Sequence, residues 1–380
     1  MPPINLLVKP ASGMCNLKCK YCFYCDVSKK REIESYGFMN EVTLRNMIKK
    51  ALEYADNYCT ITYQGGEPTL VGLDFYKKAV ELQKKYNIKN VTIHNSLQTN
   101  GYNITGEWAE FFSENNFLIG ISLDGIRDTH DKFRVKENGQ GTFYEVIKTI
   151  ELFKRQNVQF NVLTVVNSVT SQKAKEIYRF YKRNGLKYLQ FIACLDPLGE
   201  NLGTEEYSLK PKDYGRFLCE IFDLWYMDLL EGKQPYIRQF ENYISILMGL
   251  EPESCEQRGV CSFNHVLEGN GQVYCCDFYV LDEYKLGNIN EVDFFEIKNR
   301  RRENNFVKES LNHSQGCKEC IYFPICRGGC RRHRLLGDDE GNYNNYYCDG
   351  YKMFFHHSLG RLKGIANQLR RLNYVNSKHI

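Results

Sequence analysis

The chain has 380 residues and a formal net charge of +4, from 50 Lys and Arg against 46 Asp and Glu. This balance excludes the concentrated basic surface that nucleic acid binding demands, and 43% apolar residues argue against disorder. No run of about 18 apolar residues occurs, and the first residues lack the pattern of a secretory signal. The sequence therefore predicts a cytoplasmic protein with no membrane segment.

Six short strand patterns, each followed by an amphipathic helical pattern, occupy the first 235 residues. The strands are predicted to begin at Ile4, Tyr58, Val91, Phe117, Gln159 and Tyr188. Repeated βα units with right-handed crossovers form a parallel sheet. The predicted fold is an α/β partial (β/α)6 barrel over residues 1–235, with its active site at the carboxyl ends of the strands.

A last long helix is expected from Pro211 to about Gly232. Residues 236–370 are predicted to form a second, cysteine-rich domain that has few periodic segments and one β-hairpin, "HVLEGNGQVYCC". Because its core would be thin, we expect metal to supply much of its folding energy. Residues 371–380 are predicted to be a C-terminal tail.

Sixteen cysteines in a reducing compartment indicate metal binding or catalysis rather than disulfides. Cys15, Cys19 and Cys22 form a C-x3-C-x2-C run directly after the first strand. Three thiolates would leave one iron of a 4Fe-4S cluster open to a small molecule. Cys25 is a candidate fourth ligand, so on spacing alone a zinc site or an ordinary closed cluster stays an alternative.

The Cys15 triad, followed by the aromatic Phe23, resembles the signature of the radical S-adenosylmethionine (SAM) superfamily. "QGGEP" at Gln64 to Pro68 resembles that family's GGEP motif, although alone it would suit an ordinary turn. The resemblance implies that SAM chelates the open iron and is cleaved to a 5'-deoxyadenosyl radical. It also implies a set of SAM-binding residues: Tyr21, Phe23, Gly65, Gly66, Glu67, Gln98, Asn100, Ser122, Asp124, Arg134 and Leu195. Polar residues at strand ends also cap helices, which is the alternative explanation for several of them.

A second thiol-rich region follows the predicted barrel. It contains Cys255, Cys261, Cys275, Cys276, Cys317, Cys320, Cys326, Cys330 and Cys348. By spacing alone, Cys317 to Cys330 would make one self-contained cluster or zinc site. The region resembles the SPASM domain, in which Gly271 would select Cys276 over Cys275 as a ligand. That resemblance implies two interleaved 4Fe-4S clusters. Auxiliary cluster I would be bound by Cys255, Cys261, Cys276 and Cys330, and auxiliary cluster II by Cys317, Cys320, Cys326 and Cys348.

The roles of the remaining arginines, cysteines and histidines of interest are predicted from their residue type. The basic residues Arg327, Arg331, Arg332 and Arg334 would either favour cluster reduction or form a solvated face. The thiols expected to act as small buried hydrophobes are Cys25, Cys59, Cys194, Cys219 and Cys275. His333, His356 and His357 lack partners at ligand spacing and are predicted to be surface or core residues.

Nearly the whole chain resembles the anaerobic sulfatase-maturating enzymes, through "CNLKCKYCFY", "QGGEPTL", "NSLQTNG", "CDFYVLD" and "GGCRR". The resemblance implies oxidation of a sulfatase Cys or Ser to Cα-formylglycine, with Asp277 as general base. It implies that Tyr24 and Gln64 contact the peptide and that auxiliary cluster I accepts an electron. Ferredoxin or flavodoxin would be the low-potential electron donor.

Three alternatives stay open at this point. The first is a radical SAM–SPASM enzyme that crosslinks or epimerises a ribosomally made peptide. The second is a non-enzymatic iron–sulfur electron carrier or a zinc-stabilised interaction protein. The third concerns Asp277 alone, which would suit a turn cap beside a cluster.

Overall fold

The structure is a computed structural model that describes residues 3–262, 264–336 and 343–377. Ten strands form one sheet in the order β10-β9-β8-β1-β2-β3-β4-β5-β6-β7. Their bounds are β1 Ile4–Val8, β2 Tyr58–Tyr63, β3 Thr92–Thr99, β4 Leu118–Ser122, β5 Phe160–Val166, β6 Tyr188–Ala193, β7 Tyr236–Ile237, β8 His265–Leu267, β9 Gln272–Tyr274 and β10 Lys285–Asn288. A separate two-stranded sheet pairs β11 Arg334–Leu336 with β12 Tyr343–Asn345.

All six predicted strands of the barrel are present, and each is parallel to its neighbour from β1 to β6. Parallel pairing places the carboxyl ends of these strands along one edge of the sheet. The predicted α/β partial barrel is confirmed.

Helices cover the strands and fill the second half of the chain. Their bounds are α1 Phe23–Lys29, α2 Glu41–Tyr54, α3 Leu73–Tyr86, α4 Gly106–Glu114, α5 Arg127–His130, α6 Phe143–Arg155, α7 Ala174–Arg183, α8 Pro211–Leu230, α9 Arg238–Met248, α10 Cys255–Arg258, α11 Phe294–Glu303, α12 Phe306–Glu309, α13 Gln315–Lys318, α14 Phe323–Cys326 and α15 Cys348–Ser377. None of the described helices is both long and apolar enough to cross a membrane.

Helix α2 shows how the predicted periodicity becomes packing. Leu44, Met47, Ile48 and Ala51 recur three and four residues apart and are all buried. Asn40 caps the helix by accepting a hydrogen bond from the Thr43 amide at 2.9 Å. The apolar stripe therefore covers the sheet, and the cap fixes where the helix begins.

The cysteine-rich half is joined to the barrel through the sheet. The predicted hairpin is confirmed as β8 and β9, and β8 pairs in parallel with β1. On the opposite side, β7 pairs with β6 just beyond residue 235. The sheet thus runs across the boundary that the sequence predicts between the two domains.

The expectation of few periodic segments after residue 236 is wrong for α15, which runs through residue 371 to Ser377. Phe354, Phe355 and Leu362 are buried where this helix packs against α8 and α9. These buried residues recur at helical spacing, as in α2, so the sequence does contain the signal for this helix. Of the predicted tail, residues 378–380 lie outside the described residues.

Candidate functional site

The side chains predicted from the barrel motifs gather at the carboxyl ends of the strands. Gln64 follows β2, Asn100 follows β3, Ser122 ends β4, and Leu195 lies two residues after β6. Because these strands are parallel, their ends meet at one edge, where the Cys15 loop also lies. The structure therefore brings the predicted SAM residues and the cysteine triad to the same side of the sheet.

The three thiols of the triad lie in the loop between β1 and α1. The pKa of Cys15 is raised to about 12 and that of Cys19 to about 11, mainly by burial, and the neighbouring thiols act in the same direction. Arg134 acts in the opposite direction on Cys19 and donates a hydrogen bond to its thiol. Such thiols stay neutral unless a cation replaces their protons, as iron would.

The GGEP turn packs directly against the loop that carries the triad. The amide of Glu67 donates to the carbonyl of Met14 at 2.8 Å. A Cβ on Gly66 would lie 2.1 Å from the same carbonyl, and Gly66 has a φ of +53°. Glycine is thus required here by contact with the cysteine loop, in addition to the approach of SAM that the motif implies.

The carboxylate of Glu67 is buried and accepts four hydrogen bonds from the protein. The donors are the amide and hydroxyl of Thr69, the hydroxyl of Thr99 and the amide of Asn100, at 2.7 to 3.1 Å. Glu67 therefore ties the turn after β2 to the end of β3. Its predicted contact with SAM stays a prediction.

Asp124 and Arg134 form a buried ion pair beneath the triad. Arg134 Nε lies 2.9 Å from Asp124 Oδ2, and the amide of Val165 donates to Oδ1 at 2.8 Å. Tyr21, which lies between two triad cysteines, donates its hydroxyl to the same carboxylate. This network fixes Arg134 against Cys19.

Three further predicted SAM residues also have protein partners. Gln98 donates to Ser122 at 3.2 Å. Asn100 donates to Asn16 at 2.8 Å, and its amide nitrogen lies 3.8 Å from the Cys15 sulfur. Asn100 thus contacts the predicted cluster ligand Cys15, a contact that the sequence did not predict.

The backbone around Leu195 is held by the cysteine-rich half. Arg332 donates to the carbonyl of Asp196 at 2.6 Å, and Tyr347 donates to the carbonyl of Cys194 at 2.7 Å. Arg332 is buried, and Arg334 donates to several carbonyls. The alternative of a solvated basic face therefore fails for these two arginines.

Eight of the nine thiols in the second thiol-rich region, all except Cys275, separate into two sets of four. In the first set, burial raises the pKa of Cys330, and Glu256, Cys276 and Cys255 raise it further; Cys276 is affected in the same way by burial, Cys261 and Cys255. The second set lines one cavity of about 500 Å³ and consists of Cys317, Cys320, Cys326 and Cys348.

Cys326 and Cys330 thus belong to different sets although they are four residues apart. This partition is the interleaved one that the SPASM resemblance implies, and it differs from the self-contained site that spacing alone suggests.

Both sets fit a 4Fe-4S cluster by their chemistry. Each consists of four cysteines, which is the usual ligand set of such a cluster. In the described residues, no three His, Cys, Asp or Glu side chains come close enough to share one ion. In a cluster each thiolate binds its own iron, so the four sulfurs need not converge on one point.

The cysteines outside these sets do not all follow the expectation of burial. Cys59, Cys194 and Cys275 are buried, and Cys219 is partly buried. For Cys25 the expectation is wrong, because this residue lies on α1 with its side chain exposed. The surface of so short a helix faces solvent over much of its circumference, which spacing alone does not reveal.

Asp277 reaches from the cysteine-rich half to the mouth of the barrel. Its Oδ2 accepts a hydrogen bond from Gln64 Nε2 at 2.9 Å, and its Oδ1 lies 2.5 Å from Lys9 Nζ. The candidate base therefore lies beside the GGEP turn, next to the proposed ligand Cys276. A simple turn cap would not need these two partners from the barrel.

Tyr24 is buried in a second polar network. Its hydroxyl donates a hydrogen bond to the carboxylate of Glu268, which also forms an ion pair with Arg31 at 2.9 Å. The ammonium of Lys9 lies 3.8 Å from the centre of the Tyr24 ring. The contact of Tyr24 with a peptide stays a prediction, since its hydroxyl already donates a hydrogen bond to Glu268.

Phe23, the aromatic residue after the triad, packs edge-on against Phe278, with 5.0 Å between the ring centres.

Lys9, Glu268 and Arg31 were missed in the sequence. Lys9 directly follows a strand whose inward positions are apolar, and a lysine there is typical of the polar end of a strand. The partner of Lys9 is Asp277, which lies 268 positions later in the chain and is brought close only by the fold. The sequence contains no local signal for that pairing.

Comparison with known protein families identifies the architecture. A model of the radical SAM superfamily matches residues 10–181, and a model of the SPASM iron-sulfur cluster-binding domain matches residues 259–321. The fold, the cysteine triad and the two sets of four thiols define a radical SAM enzyme with a SPASM domain, which takes SAM and three 4Fe-4S clusters as cofactors.

The similarity to individual proteins extends over almost the whole chain. A cysteine-type anaerobic sulfatase-maturating enzyme of Clostridium novyi is 46% identical, over 97% of this chain and 99% of that one. A serine-type enzyme of Bacteroides thetaiotaomicron is 35% identical, over 93% and 89%. The chain belongs to the family of anaerobic sulfatase-maturating enzymes.

Solved structures agree with that membership. The structure of anSMEcpe with bound AdoMet and the Cp18Cys peptide is 46% identical, covers 97% of this chain and 100% of that chain, and has a TM-score of 0.91. SuiB of Streptococcus suis is 16% identical with a TM-score of 0.63, which shows a shared fold.

Proposed function

We propose that this enzyme oxidises an active-site cysteine of a sulfatase to Cα-formylglycine. Family membership supports the reaction, and the higher identity to the cysteine-type relative than to the serine-type one supports cysteine as the target. The observation that carries the proposal is the placement of Asp277, within hydrogen-bond distance of Gln64 at the end of β2.

The side chain of cysteine, CH2SH, becomes a thioaldehyde when it loses one hydrogen atom, one proton and one electron. Water then replaces sulfur and releases hydrogen sulfide, leaving the aldehyde. When bound, SAM and the iron–sulfur clusters would supply the radical that takes the hydrogen atom and a site for the electron.

The protein's own side chains handle the proton and the positioning. Asp277 would accept the thiol proton as general base, since a free thiol with a pKa of about 8.5 is mostly protonated at neutral pH. Gln64 would keep the carboxylate facing the peptide. Cys15, Cys19 and Cys22 would hold the cluster that binds SAM, and Arg134 would compensate the negative charge beside Cys19.

The auxiliary clusters would be held by the two sets of thiols described above. Of these, the set containing Cys276 adjoins Asp277 in sequence, which supports auxiliary cluster I as the electron acceptor. A ferredoxin or flavodoxin would supply electrons to the first cluster. The many thiols that must stay reduced support a cytoplasmic location.

The test is a reaction of the anaerobically reconstituted enzyme with SAM, dithionite and a sulfatase peptide carrying Cys within C-x-P-x-R. Mass spectrometry should show conversion of the CH2SH side chain to an aldehyde on the same carbon, with loss of the sulfur, and a hydrazide should trap that aldehyde. The matched peptide with Ser should react more slowly. A crosslinked or epimerised peptide, or unchanged peptide despite formation of 5'-deoxyadenosine, would reject the proposal.

A further inference from the structure

Lys9 is a fully buried cation at the centre of the site, with none of its side chain exposed. Its ammonium lies 2.5 Å from Asp277 Oδ1 and 3.8 Å from the centre of the Tyr24 ring. A Cβ on Gly65 would come within 2.6 Å of its side chain. Lys9 therefore contacts the candidate base, a candidate substrate residue and the GGEP turn at once.

The Asp277 carboxylate is held at both oxygens by different groups. Lys9 pairs with Oδ1, and Gln64 donates to Oδ2 at 2.9 Å. A carboxylate held at both oxygens is hindered from rotating about its Cβ–Cγ bond. Because 13% of the Asp277 side chain is exposed and none of Lys9 is, a substrate entering from solvent reaches the carboxylate first.

The groups that hold Asp277 are themselves anchored in the sheet. The amide of Lys9 donates to the carbonyl of Leu267, and the amide of Gln64 donates to the carbonyl of Val8, both at 2.8 Å. Backbone hydrogen bonds of this kind restrain both side chains at their base. The site is thus built on rigid elements, as accurate placement of a reacting group requires.

We propose that Lys9 is a positioning residue that orients the Asp277 carboxylate toward the target thiol. This inference rests on the proposed function, in which Asp277 takes the thiol proton. Without Lys9, SAM cleavage would continue, but fewer radicals would lead to oxidised peptide. The ratio of aldehyde to 5'-deoxyadenosine therefore reports on Lys9.

The experiment compares the wild type with Lys9→Met, which removes the charge and keeps a chain of similar length. We expect kcat for aldehyde formation to fall about 10- to 100-fold, the cost of a misplaced reacting group. The KM and the Kd for the peptide should stay within about twofold, because none of the Lys9 side chain is exposed to an incoming peptide. An unchanged ratio of aldehyde to 5'-deoxyadenosine would overturn the proposal.

Lys50→Met is the matched control. Lys50 is partly buried, whereas Lys9 is fully buried, and it donates to the carbonyls of Ile289 and Val292 at 2.6 and 2.9 Å, away from Asp277. The Lys50→Met variant should leave the ratio of aldehyde to 5'-deoxyadenosine unchanged.

A double substitution tests whether Lys9 acts through Asp277. In the background of Asp277→Asn, Lys9→Met should cause little further loss of aldehyde formation, because the effects of two residues that act together are not additive. Additive losses would show that Lys9 acts elsewhere.

Iron content and far-UV circular dichroism establish that each variant is folded. If Lys9→Met loses iron, Lys9→Gln takes its place, since its amide keeps a polar group beside Asp277 without the charge. Loss of iron in both variants would assign Lys9 to stability and overturn the proposal. Failure of the wild type to make aldehyde would instead reject the proposed function, so the two failures are distinguishable.

Discussion

Tyr21 and Asp124 are joined by a hydrogen bond that links the cysteine loop to the end of β4. The same carboxylate pairs with Arg134, and all three side chains are buried. Arg134 in turn donates to the Cys19 thiol. One buried carboxylate therefore supports both the loop that would bind the first cluster and the cation beside it.

Asp124→Asn should destabilise the protein markedly, because it leaves the Arg134 guanidinium buried without its counterion. Removing one partner of a buried ion pair costs about 3 to 5 kcal/mol. Anaerobic urea unfolding of the reconstituted protein measures this loss. Glu145→Gln, which breaks the more exposed pair with Lys136, should cost less than about 1 kcal/mol. Equal losses for the two variants would contradict the assignment.

Cys326→Ser and Cys330→Ser should each lose one cluster, and the two variants should lose different ones. Iron content should fall from about 12 to about 8 atoms per chain in either variant. A double substitution of Cys326 and Cys330 should leave about 4 atoms, whereas one of Cys326 and Cys348 should leave about 8. Iron analysis with electron paramagnetic resonance of each variant measures this.

Cys59→Ser serves as the control for the cysteine series, since Cys59 is buried in β2 away from both sets. It should keep all of its iron. If Cys326→Ser and Cys330→Ser remove the same resonance, the four thiols from Cys317 to Cys330 form a single site and the partition is wrong.

Buried histidines predict a loss of stability in acid. Burial lowers the pKa of His130 and of His265 to about 3, against about 6.5 in the unfolded chain. Between these values the unfolded state binds the proton, so the free energy of unfolding falls as the pH falls. The slope is about 1.4 kcal/mol per pH unit for each imidazole.

His130→Gln should make the pH dependence shallower by one such imidazole. Urea unfolding at pH 6.5 and 5.0, with iron content checked at both, gives the comparison. His94→Gln, at an exposed position on β3, controls for replacement of an imidazole as such. An identical pH dependence in His130→Gln and the wild type would contradict the prediction.

Replacement of Arg301 should cause selective loss of auxiliary cluster I. This buried residue donates to the carbonyls of Ser262, Asn264 and Cys275, which flank Cys261 and Cys276. Arg301→Met would leave these three carbonyls without their hydrogen-bond donor, and each should lower the free energy of unfolding by about 1 to 3 kcal/mol. We expect loss of the resonance of auxiliary cluster I, with auxiliary cluster II retained.

The neighbouring Arg300→Met is the control for Arg301, because Arg300 is half exposed and pairs with Glu296 on the surface of α11. It should keep both auxiliary clusters. Loss of both clusters in Arg301→Met, or of neither, would refute the selective role.

The strands and the ligand cysteines could be predicted because their signals are local. β-branched runs, helical periodicity and short cysteine spacings each lie within a few residues of one another. The partition of Cys326 and Cys330 required family resemblance, since spacing favours placing both in one site. Lys9 could not be predicted, because its partner Asp277 is brought to it only by the pairing of β8 with β1. Helix α15 has the same kind of local signal, because its buried residues recur at helical spacing, and the expectation of few periodic segments did not take it into account.

The pairing of β8 with β1 has a consequence for synthesis. β1 precedes every other strand of the sheet in the chain, yet one of its two edges finds its partner only after residue 267 has emerged from the ribosome. Until then a short apolar strand offers free amide and carbonyl groups, the condition under which chains associate with one another. In the nascent chain this edge of β1 therefore stays open to pairing with other chains until β8 has been made.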